Sequence, residues 1–216
     1  RHMTSRERTI EISVKMGLSH VGSVLTALPI LCEIYAKKKP EEKFVLSAGH
    51  AHLAHAVILE QIRNLDAEEG IRNFGIHCDR KAGCDVSTGS LGQGLPIAVG
   101  MALADRSKNV YCLISDGECM EGSIWEALRI AKERNVTNLR VFLNANGWGA
   151  YRSVDVDWLE KQIQAIGFPV EIRRTDMNGF PSYLQNLGAH YKVLDDVEAK
   201  EVMSCLSNGV LGLSSP

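Results

Sequence analysis

The sequence predicts an α/β fold built on a doubly wound parallel sheet with helices on both faces. Apolar strand-like segments alternate with helical segments of about 10 to 17 residues, the order expected when helices cross between parallel strands. Two of these strand-like segments are followed by polar residues, Asp116 and Asn146, as expected at the ligand-binding edge of such a sheet. With 45% apolar and 23% charged residues, the chain of 216 residues can form one sizeable core.

The first half of the chain contains mostly helices. Apolar residues recur at helical spacing in Ser5–Met16 and in Val21–Lys37, which ends before Pro40. Phe44–Ser47 has the length and composition of a short buried strand. Further helices are expected over residues 51–63, once within the polar residues 64–86, and from the glycine-rich residues 87–94 to about Arg106.

The second half alternates between strands and helices. Val110–Ser115 and Leu139–Ala145 are predicted strands, and a helix over residues 121–134 connects them. The remaining elements are a loop over 147–156, a helix over Trp158–Ile166 and a last strand over Pro169–Arg173.

A single domain over residues 4–204 is the predicted organisation. Arg1–Met3 resembles the remnant of a cloning tag, and residues 205–216 are expected to form a flexible tail. The net charge of −2 gives no reason to expect nucleic acid or a membrane as a partner. No secretory signal or membrane span is visible, and the cysteine pattern favours a reduced, cytoplasmic protein.

The cysteines raise one alternative. None of the six forms a Cys-x2-Cys pair, and reduced thiols are expected. Cys78 and Cys84, together with His77, suggest a zinc site, but the other half of a tetrahedral ligand set is not evident in the sequence. His52 and His55 are interpreted as histidines that cap a helix or lie on its polar face. The sequence therefore does not favour zinc.

Asp116 and Asn146 carry the strongest chemical signal. The 30 residues between them correspond to one strand-to-strand crossover, so both should lie at the same edge of the sheet. Their oxygen atoms could hold one hard divalent cation. Gly117 would let a phosphate approach the backbone at the start of the next helix. The structural alternatives are a helix-capping carboxylate for Asp116 and a turn residue for Asn146.

Five motifs together resemble the transketolase family, in its N-terminal, diphosphate-binding half. They are Gly17–His20, Ser47–Ala51, Ser87–Gly94, Asp116–Gly122 and Asn144–Gly147. The motifs occur in the family's order and at near-family spacing, and the resemblance covers about residues 10–194. It implies the thiamine diphosphate-binding fold.

The resemblance implies thiamine diphosphate bound through Mg²⁺ or Ca²⁺. Asp116 and Asn146 match the family's metal ligands, and the backbone carbonyl of Trp148 would complete the protein ligands. Taken alone, the run around Ser90 would more often be a helix cap. The cofactor-binding residues that the family implies are His50, Gly89, Ser90, Leu91, Asp116, Gly117, Glu118, Asn146 and His190.

The catalytic residues that the resemblance implies are His20, His50, His77, Glu121 and His190. His50 follows a glycine at a strand-to-helix turn, where a side chain faces the strand-end crevice. His77 aligns only if its loop is shorter than usual in the family. Glu121 matches a carboxylate buried near the cofactor and the subunit contact; its structural alternative is an acid in the first turn of a helix. Imidazoles suit substrates with several hydroxyls and proton transfer near neutral pH.

Three departures from the family pattern are visible. Ser115 stands where the family usually has glycine, and Asn144 stands where an acid is common, which would weaken the support of the metal ligands. After Thr175 the chain leads almost directly to the His190 segment, without the family's Asp-Gly-His-Asp signature. We therefore expect a domain shortened at its C-terminal end, with one strand fewer.

The resemblance also implies a partner. In transketolases the glutamate that activates the cofactor's aminopyrimidine ring belongs to a following pyrimidine-binding domain, for which 216 residues leave no room. The expected protein is the N-terminal subunit of a two-component transketolase, in an α₂β₂ assembly with a separate C-terminal subunit. It would transfer a two-carbon ketol unit from a ketose to an aldose, with sugar phosphates as substrates.

Two alternative functions remain open at this point. The chain could be a subunit of another thiamine diphosphate enzyme, either one similar to 2-oxoacid dehydrogenases or an acyl or ketol transferase of a specialised biosynthetic pathway. It could also be a non-catalytic scaffold that retains the fold.

Overall fold

The computed structural model describes residues 3–208, which form a four-stranded parallel sheet flanked by helices. The strands are β1 (Lys43–Leu46), β2 (Val110–Ser115), β3 (Leu139–Ala145) and β4 (Val170–Arg174), and they lie side by side in the order β1-β2-β3-β4. The predicted α/β class, the parallel sheet and the helices on both faces are confirmed. Because all four strands are parallel, their carboxyl ends meet at one edge of the sheet.

The helices up to residue 166 agree closely with the sequence pattern, and two further helices that were not predicted follow within residues 3–208. They are α1 (Ser5–Met16), α2 (Val21–Lys37), α3 (His52–Arg63), α4 (Ala67–Phe74), α5 (Gly94–Ala104), α6 (Gly122–Glu133), α7 (Val156–Ile166), α8 (Gly188–Tyr191) and α9 (Asp196–Ser207). Helix α7 begins two residues earlier than predicted, because the side chain of Asp155 accepts a hydrogen bond from the Trp158 amide and caps the helix. Among residues 3–208, no helix combines the length and apolar character that crossing a membrane requires.

Alternate residues of the strands face two separate apolar layers. On one face, Phe44, Leu113 and Phe142 pack with helices α2, α3 and α4. On the other face, Val45 and Cys112 belong to a layer that helices α5, α6 and α7 complete. Both faces of the sheet are therefore buried, which explains why its strands read as continuous apolar runs.

A third apolar cluster attaches the C-terminal segment to helices α1 and α2. Ile10, Val21, Leu184 and Val202 are its most buried members. Helix α9 begins with a capping box, in which the side chain of Asp195 accepts from the Glu198 amide and the side chain of Glu198 accepts from the Asp195 amide. Residues 205–207 continue this helix, so the predicted flexible tail begins too early; residues 209–216 lie outside the described part of the chain.

Candidate functional site

A cleft opens at the carboxyl edge of the sheet, where β1, β2 and β3 end. Its lining combines residues from the segments that follow these strands, from the glycine-rich loop 87–94, from the start of α2 and from α8. Eight of the residues implicated from the sequence line it: His20, His50, Gly89, Leu91, Gly117, Asn146, Trp148 and His190. The parallel topology thus brings together residues that are up to 170 positions apart in the chain, His20 and His190.

Asp116 directly follows β2 and is almost completely buried. Its two carboxylate oxygens accept hydrogen bonds from the backbone amides of Gly117 (2.8 Å) and Gly147 (2.6 Å). No lysine or arginine among the described residues forms an ion pair with this carboxylate. Burial therefore raises the pKa of Asp116 to about 7. A divalent cation would supply the positive charge that this buried carboxylate lacks.

The loop after β3 folds against Asp116. The Asn146 side-chain oxygen accepts from the Trp148 amide (2.9 Å), and the Val154 amide donates to the Gly147 carbonyl (2.8 Å), which closes a short hairpin. A Cβ atom on Gly117 would lie 2.9 Å from Gly149 Cα and 3.6 Å from the Trp148 carbonyl oxygen. Only glycine admits the loop this closely.

The three groups assigned as metal ligands therefore come from the residue after β2 and from the turn after β3, which pack against each other. Asp116 contributes a carboxylate, Asn146 an amide oxygen and Trp148 a backbone carbonyl, the oxygen ligands that Mg²⁺ and Ca²⁺ prefer. Asp116 itself borders a second cavity, which Met120, Trp158 and other residues line. The residues at this edge of the sheet fit a hard cation.

Three imidazole rings that line the cleft lie close together. The ring centroids of His20 and His190 are 4.3 Å apart, those of His20 and His50 are 5.7 Å apart, and those of His50 and His190 are 5.9 Å apart. Burial, followed by the neighbouring imidazoles, lowers the pKa of His20 to about 4 and that of His50 to about 3. Burial also lowers the pKa of His190. All three rings are neutral at pH 7, so each ring nitrogen without a protein partner can donate to or accept from a hydroxyl group.

The backbone of His20 holds this cluster together. His20 adopts a left-handed conformation with φ 66° before helix α2, which is uncommon for a residue with a side chain. Its amide donates to the His190 carbonyl (3.1 Å), and its Nδ1 atom lies 2.8 Å from the Ser19 hydroxyl. The turn therefore links the start of α2 to α8.

Glu118 has a supporting position beneath the cleft. Its fully buried carboxylate accepts from the Ser47 hydroxyl (2.5 Å), the Gly92 amide (2.7 Å) and the Ser115 amide (3.4 Å). Burial raises the pKa of Glu118 to about 6. These contacts connect the ends of β1 and β2 to the glycine-rich loop, and Glu118 does not itself line the cleft.

Three other residues implicated from the sequence lie at exposed positions. His77 packs beside the glycine-rich loop, where a Cβ atom on Gly89 would lie 3.3 Å from its Cγ atom. The Ser90 and Glu121 side chains are exposed in this single chain. Glu121 precedes α6 but makes no capping hydrogen bond with its side chain.

Hydrogen bonds hold the Asn144 side chain in place, although the sequence suggested weak support for the metal ligands at this position. Its side chain is buried, its Nδ2 atom donates to the Thr26 hydroxyl (3.0 Å), and its Oδ1 atom accepts from the Thr175 hydroxyl (2.6 Å). The amide thus fastens the end of β3 to α2 and to the residue after β4. An asparagine with both ends paired replaces the expected acid as a rigid support below Asn146.

His52 and His55 correct the sequence interpretation. Both are buried, with exposed fractions of 1% and 2%, and neither caps a helix nor lies on a polar helix face. They lie with Cys78 and Cys84, so the ligands that the sequence did not reveal for a zinc site are present. Their spacing of three residues on one helix, which places both side chains on the same face, was the available signal.

Comparison with known proteins agrees with the geometry of the cleft. The family described as transketolase, thiamine diphosphate binding domain, matches residues 13–170. The chain is 32% identical over 207 residues to the 6-deoxy-6-sulfo-D-fructose transketolase subunit SqwG of Clostridium sp. (strain MSTE9), with 86% of this chain and 72% of that protein covered. It is 31% identical over 163 residues to one subunit of the apulose-4-phosphate transketolase of Phocaeicola vulgatus, with 66% of this chain and 58% of that protein covered.

Larger transketolases match over a smaller share of their length. Human transketolase is 33% identical over 189 residues, which cover 76% of this chain and 30% of the human protein. The crystal structure of transketolase from Pichia stipitis superposes with a TM-score of 0.73 at 22% identity, covering 94% of this chain and 40% of that chain. This second likeness concerns the fold alone. The chain belongs to the transketolase family and contains the family's thiamine diphosphate-binding domain.

Proposed function

We propose that this chain is the N-terminal subunit of a two-component transketolase. The observation that carries the proposal is the cleft itself, where Asn146 and Trp148 line the same cavity as a cluster of three neutral histidines. The buried Asp116 carboxylate accepts from the amide of the intervening Gly147. The complex would transfer a two-carbon ketol unit from a ketose to an aldose. Similarity to two proteins whose names describe them as transketolase subunits supports the two-component arrangement.

In this proposal, one wall of the cleft holds the cofactor's diphosphate. Asp116, Asn146 and the Trp148 carbonyl would bind Mg²⁺ or Ca²⁺, and the cation would bind the diphosphate. Gly89 and Leu91 would line the cofactor from the glycine-rich loop, and Gly117 leaves its backbone accessible. When bound, thiamine diphosphate would supply the electron sink for cleaving a carbon–carbon bond.

The three histidines would bind the sugar. His20, His50 and His190 can orient several hydroxyl groups at once, because a neutral imidazole nitrogen can donate or accept a hydrogen bond; Ser19 already engages one nitrogen of His20. The same rings can take up or return a proton at a substrate oxygen. His77 and Glu121, both exposed in this chain, would act only when the partner subunit closes the site.

The partner is proposed to be a separate pyrimidine-binding chain in an α₂β₂ complex. Exposed apolar surface supports this. Met120 and Trp158, which line the cavity that Asp116 borders, have exposed fractions of 41% and 57%, and Tyr151 in the loop after β3 has an exposed fraction of 86%. Association would cover them. We also place the protein in a reducing cytoplasm, which agrees with six free cysteines.

The test is an assay of ketol transfer with thiamine diphosphate and Mg²⁺, performed on the chain alone, the partner alone and the mixture. We expect activity only in the mixture, in a species whose mass matches two copies of each chain. Robust transfer by the chain alone would contradict the two-component arrangement. Replacing the ketose by a 2-oxoacid donor tests the main rival, and preference for the 2-oxoacid would favour it.

A further inference from the structure

Four metal-binding side chains meet in the core, away from the cleft. His52 and His55 come from the first turn of α3, and Cys78 and Cys84 come from the loop between α4 and α5. All four are buried, and one ligand atom from each lies within 4.8 Å of every other. None of the four lines the strand-end cleft, so this cluster is a separate site.

The distances between these atoms match a tetrahedral metal centre. The Cys78 sulfur lies 3.4 Å from His52 Nδ1 and 3.9 Å from His55 Nδ1, and the Cys84 sulfur lies 3.7 Å from each. Zinc bonds of about 2.3 Å to sulfur and about 2.0 Å to nitrogen place adjacent ligand atoms roughly 3.5 Å apart at the tetrahedral angle. We propose that His52, His55, Cys78 and Cys84 form a structural zinc site.

The surroundings of the cluster favour a closed site. The Nε2 atom of His55 lies 2.7 Å from the Tyr35 hydroxyl, which turns its Nδ1 atom toward the two sulfurs. The Phe44 ring packs against His55 with ring centroids 4.9 Å apart. A partner on the outer ring nitrogen and an apolar shell are typical of zinc-bound histidines.

Charge and ligand type select the metal. Two thiolates buried without a cation would be costly, whereas Zn²⁺ balances two thiolates and two neutral imidazoles. Two sulfur and two nitrogen ligands in tetrahedral positions favour zinc over the hard cations that oxygen ligands prefer. With four protein ligands there is no open position, so the site is structural rather than catalytic.

The site would hold the loop that forms one side of the cleft. The Thr88 amide donates to the Cys78 carbonyl (3.1 Å), and the Thr88 hydroxyl donates to the Leu46 carbonyl (2.6 Å). Gly89 follows directly and lines the cleft. The Asp85 carboxylate, next to Cys84, accepts from the Phe44 amide (2.9 Å). Zinc would therefore fasten residues 78–89 to α3 and β1.

The direct test is the metal content of the full chain, freed of any affinity tag, purified without added zinc and dialysed against a weak chelator. We expect about one zinc per chain, released when a mercurial blocks the thiols. Replacement by Co²⁺ should produce the visible absorption of a tetrahedral site and a thiolate charge-transfer band. Metal-free protein, or a Cys78–Cys84 disulfide found by peptide mass spectrometry, would overturn the proposal.

Variants assign the ligands. Cys84→Ser should reduce the zinc content to below about one tenth of an equivalent, whereas Cys32→Ser, at an exposed position on α2, should retain about one. Full zinc content in Cys84→Ser would contradict the assignment. Tyr35→Phe keeps all four ligands and should weaken zinc about 10- to 100-fold in competition with a chromophoric chelator. Unchanged affinity would contradict the role given to Tyr35.

Discussion

The two proposed cation sites of this protein differ in ligands, burial and purpose. The site at Asp116 and Asn146 offers oxygen atoms, and Asn146 lines an open cleft. The site at His52 and Cys84 offers nitrogen and sulfur atoms in the core. An open oxygen site suits a cation that arrives with a diphosphate, and a closed site of four protein ligands suits a permanent one.

This difference predicts opposite responses to substitution. Removing a ligand of the oxygen site should abolish binding of the cation and the cofactor but leave the chain folded. Burying the Asp116 carboxylate costs free energy of folding, so the fold does not depend on its charge. Removing a ligand from the core should destabilise the chain, since the loop 75–86 depends on those contacts.

Asp116→Asn should have the largest effect on function. It removes the charged metal ligand, and we expect the activity of the reconstituted enzyme to fall at least about 100-fold. The melting temperature without cofactor should change little, because removing a buried charge stabilises the fold while the amide loses the hydrogen bond to Gly117 or Gly147. Steady-state kinetics and thermal unfolding measure the two effects.

Asp157→Asn is the matched control for this variant, since Asp157 lies on the surface beside Arg174. It should retain full activity. An active Asp116→Asn enzyme would contradict the proposed metal site.

Cys84→Ser should have the largest effect on stability. We expect the free energy of unfolding to fall by more than about 3 kcal/mol, as is usual when a structural metal is lost. Denaturant unfolding measures this, with Cys205→Ser, in the last turn of α9, as control. Equal stability of the two variants would show that no metal holds the core loop.

Glu118→Gln should have a smaller effect. It changes a contact to the glycine-rich loop, which lies next to both proposed cation sites. An amide in place of the carboxylate would direct an N–H group at the amide of Gly92 or Ser115, at a cost of about 1–3 kcal/mol. The apparent affinity for thiamine diphosphate should weaken. Glu126→Gln, on the exposed side of α6, should change neither quantity.

The smallest effect concerns pH. Well above pH 6.5, His20 and His50 are neutral in both the folded and the unfolded chain. Between pH 6.5 and about 4 the unfolded chain takes up protons that His20 and His50 do not take up when folded, so stability falls as the pH falls. Asp116 and Glu118, whose folded pKa values are raised, act in the opposite direction.

Comparing the pH dependence of stability in the wild type and in His50→Gln isolates the contribution of His50. The variant should lose less stability than the wild type on acidification from pH 7 to 4.5, measured by denaturant unfolding at each pH. A parallel pH dependence of the two proteins would contradict the lowered pKa of His50.

The sequence was most informative for features that consecutive residues form. Val110–Ser115 and Leu139–Ala145 were predicted with their observed bounds, because buried parallel strands are uninterrupted apolar runs. Asp116 and Asn146 follow those strands, so topology alone placed them together. The capping box at Asp195 and Glu198 was a readable signal for helix α9, although the small and polar residues after it favoured a flexible tail.

The core cluster could not be predicted in the same way. Its histidines and cysteines are 23 to 32 positions apart, and their meeting depends on how the loop 75–86 packs against α3. Likewise, the pairing of Asn144 with Thr26 joins residues 118 positions apart. Tertiary packing determines both arrangements; the spacing of His52 and His55 places these two side chains on one face of a helix but does not show which cysteines they meet.

The most direct test of the distinction between the two sites treats the reconstituted enzyme with EDTA and measures activity and zinc in the same sample. We predict that activity is lost, that about one zinc per chain remains, and that Mg²⁺ with thiamine diphosphate restores activity. Loss of activity in proportion to loss of zinc, without recovery on adding Mg²⁺, would contradict the assignment of separate roles to the two sites.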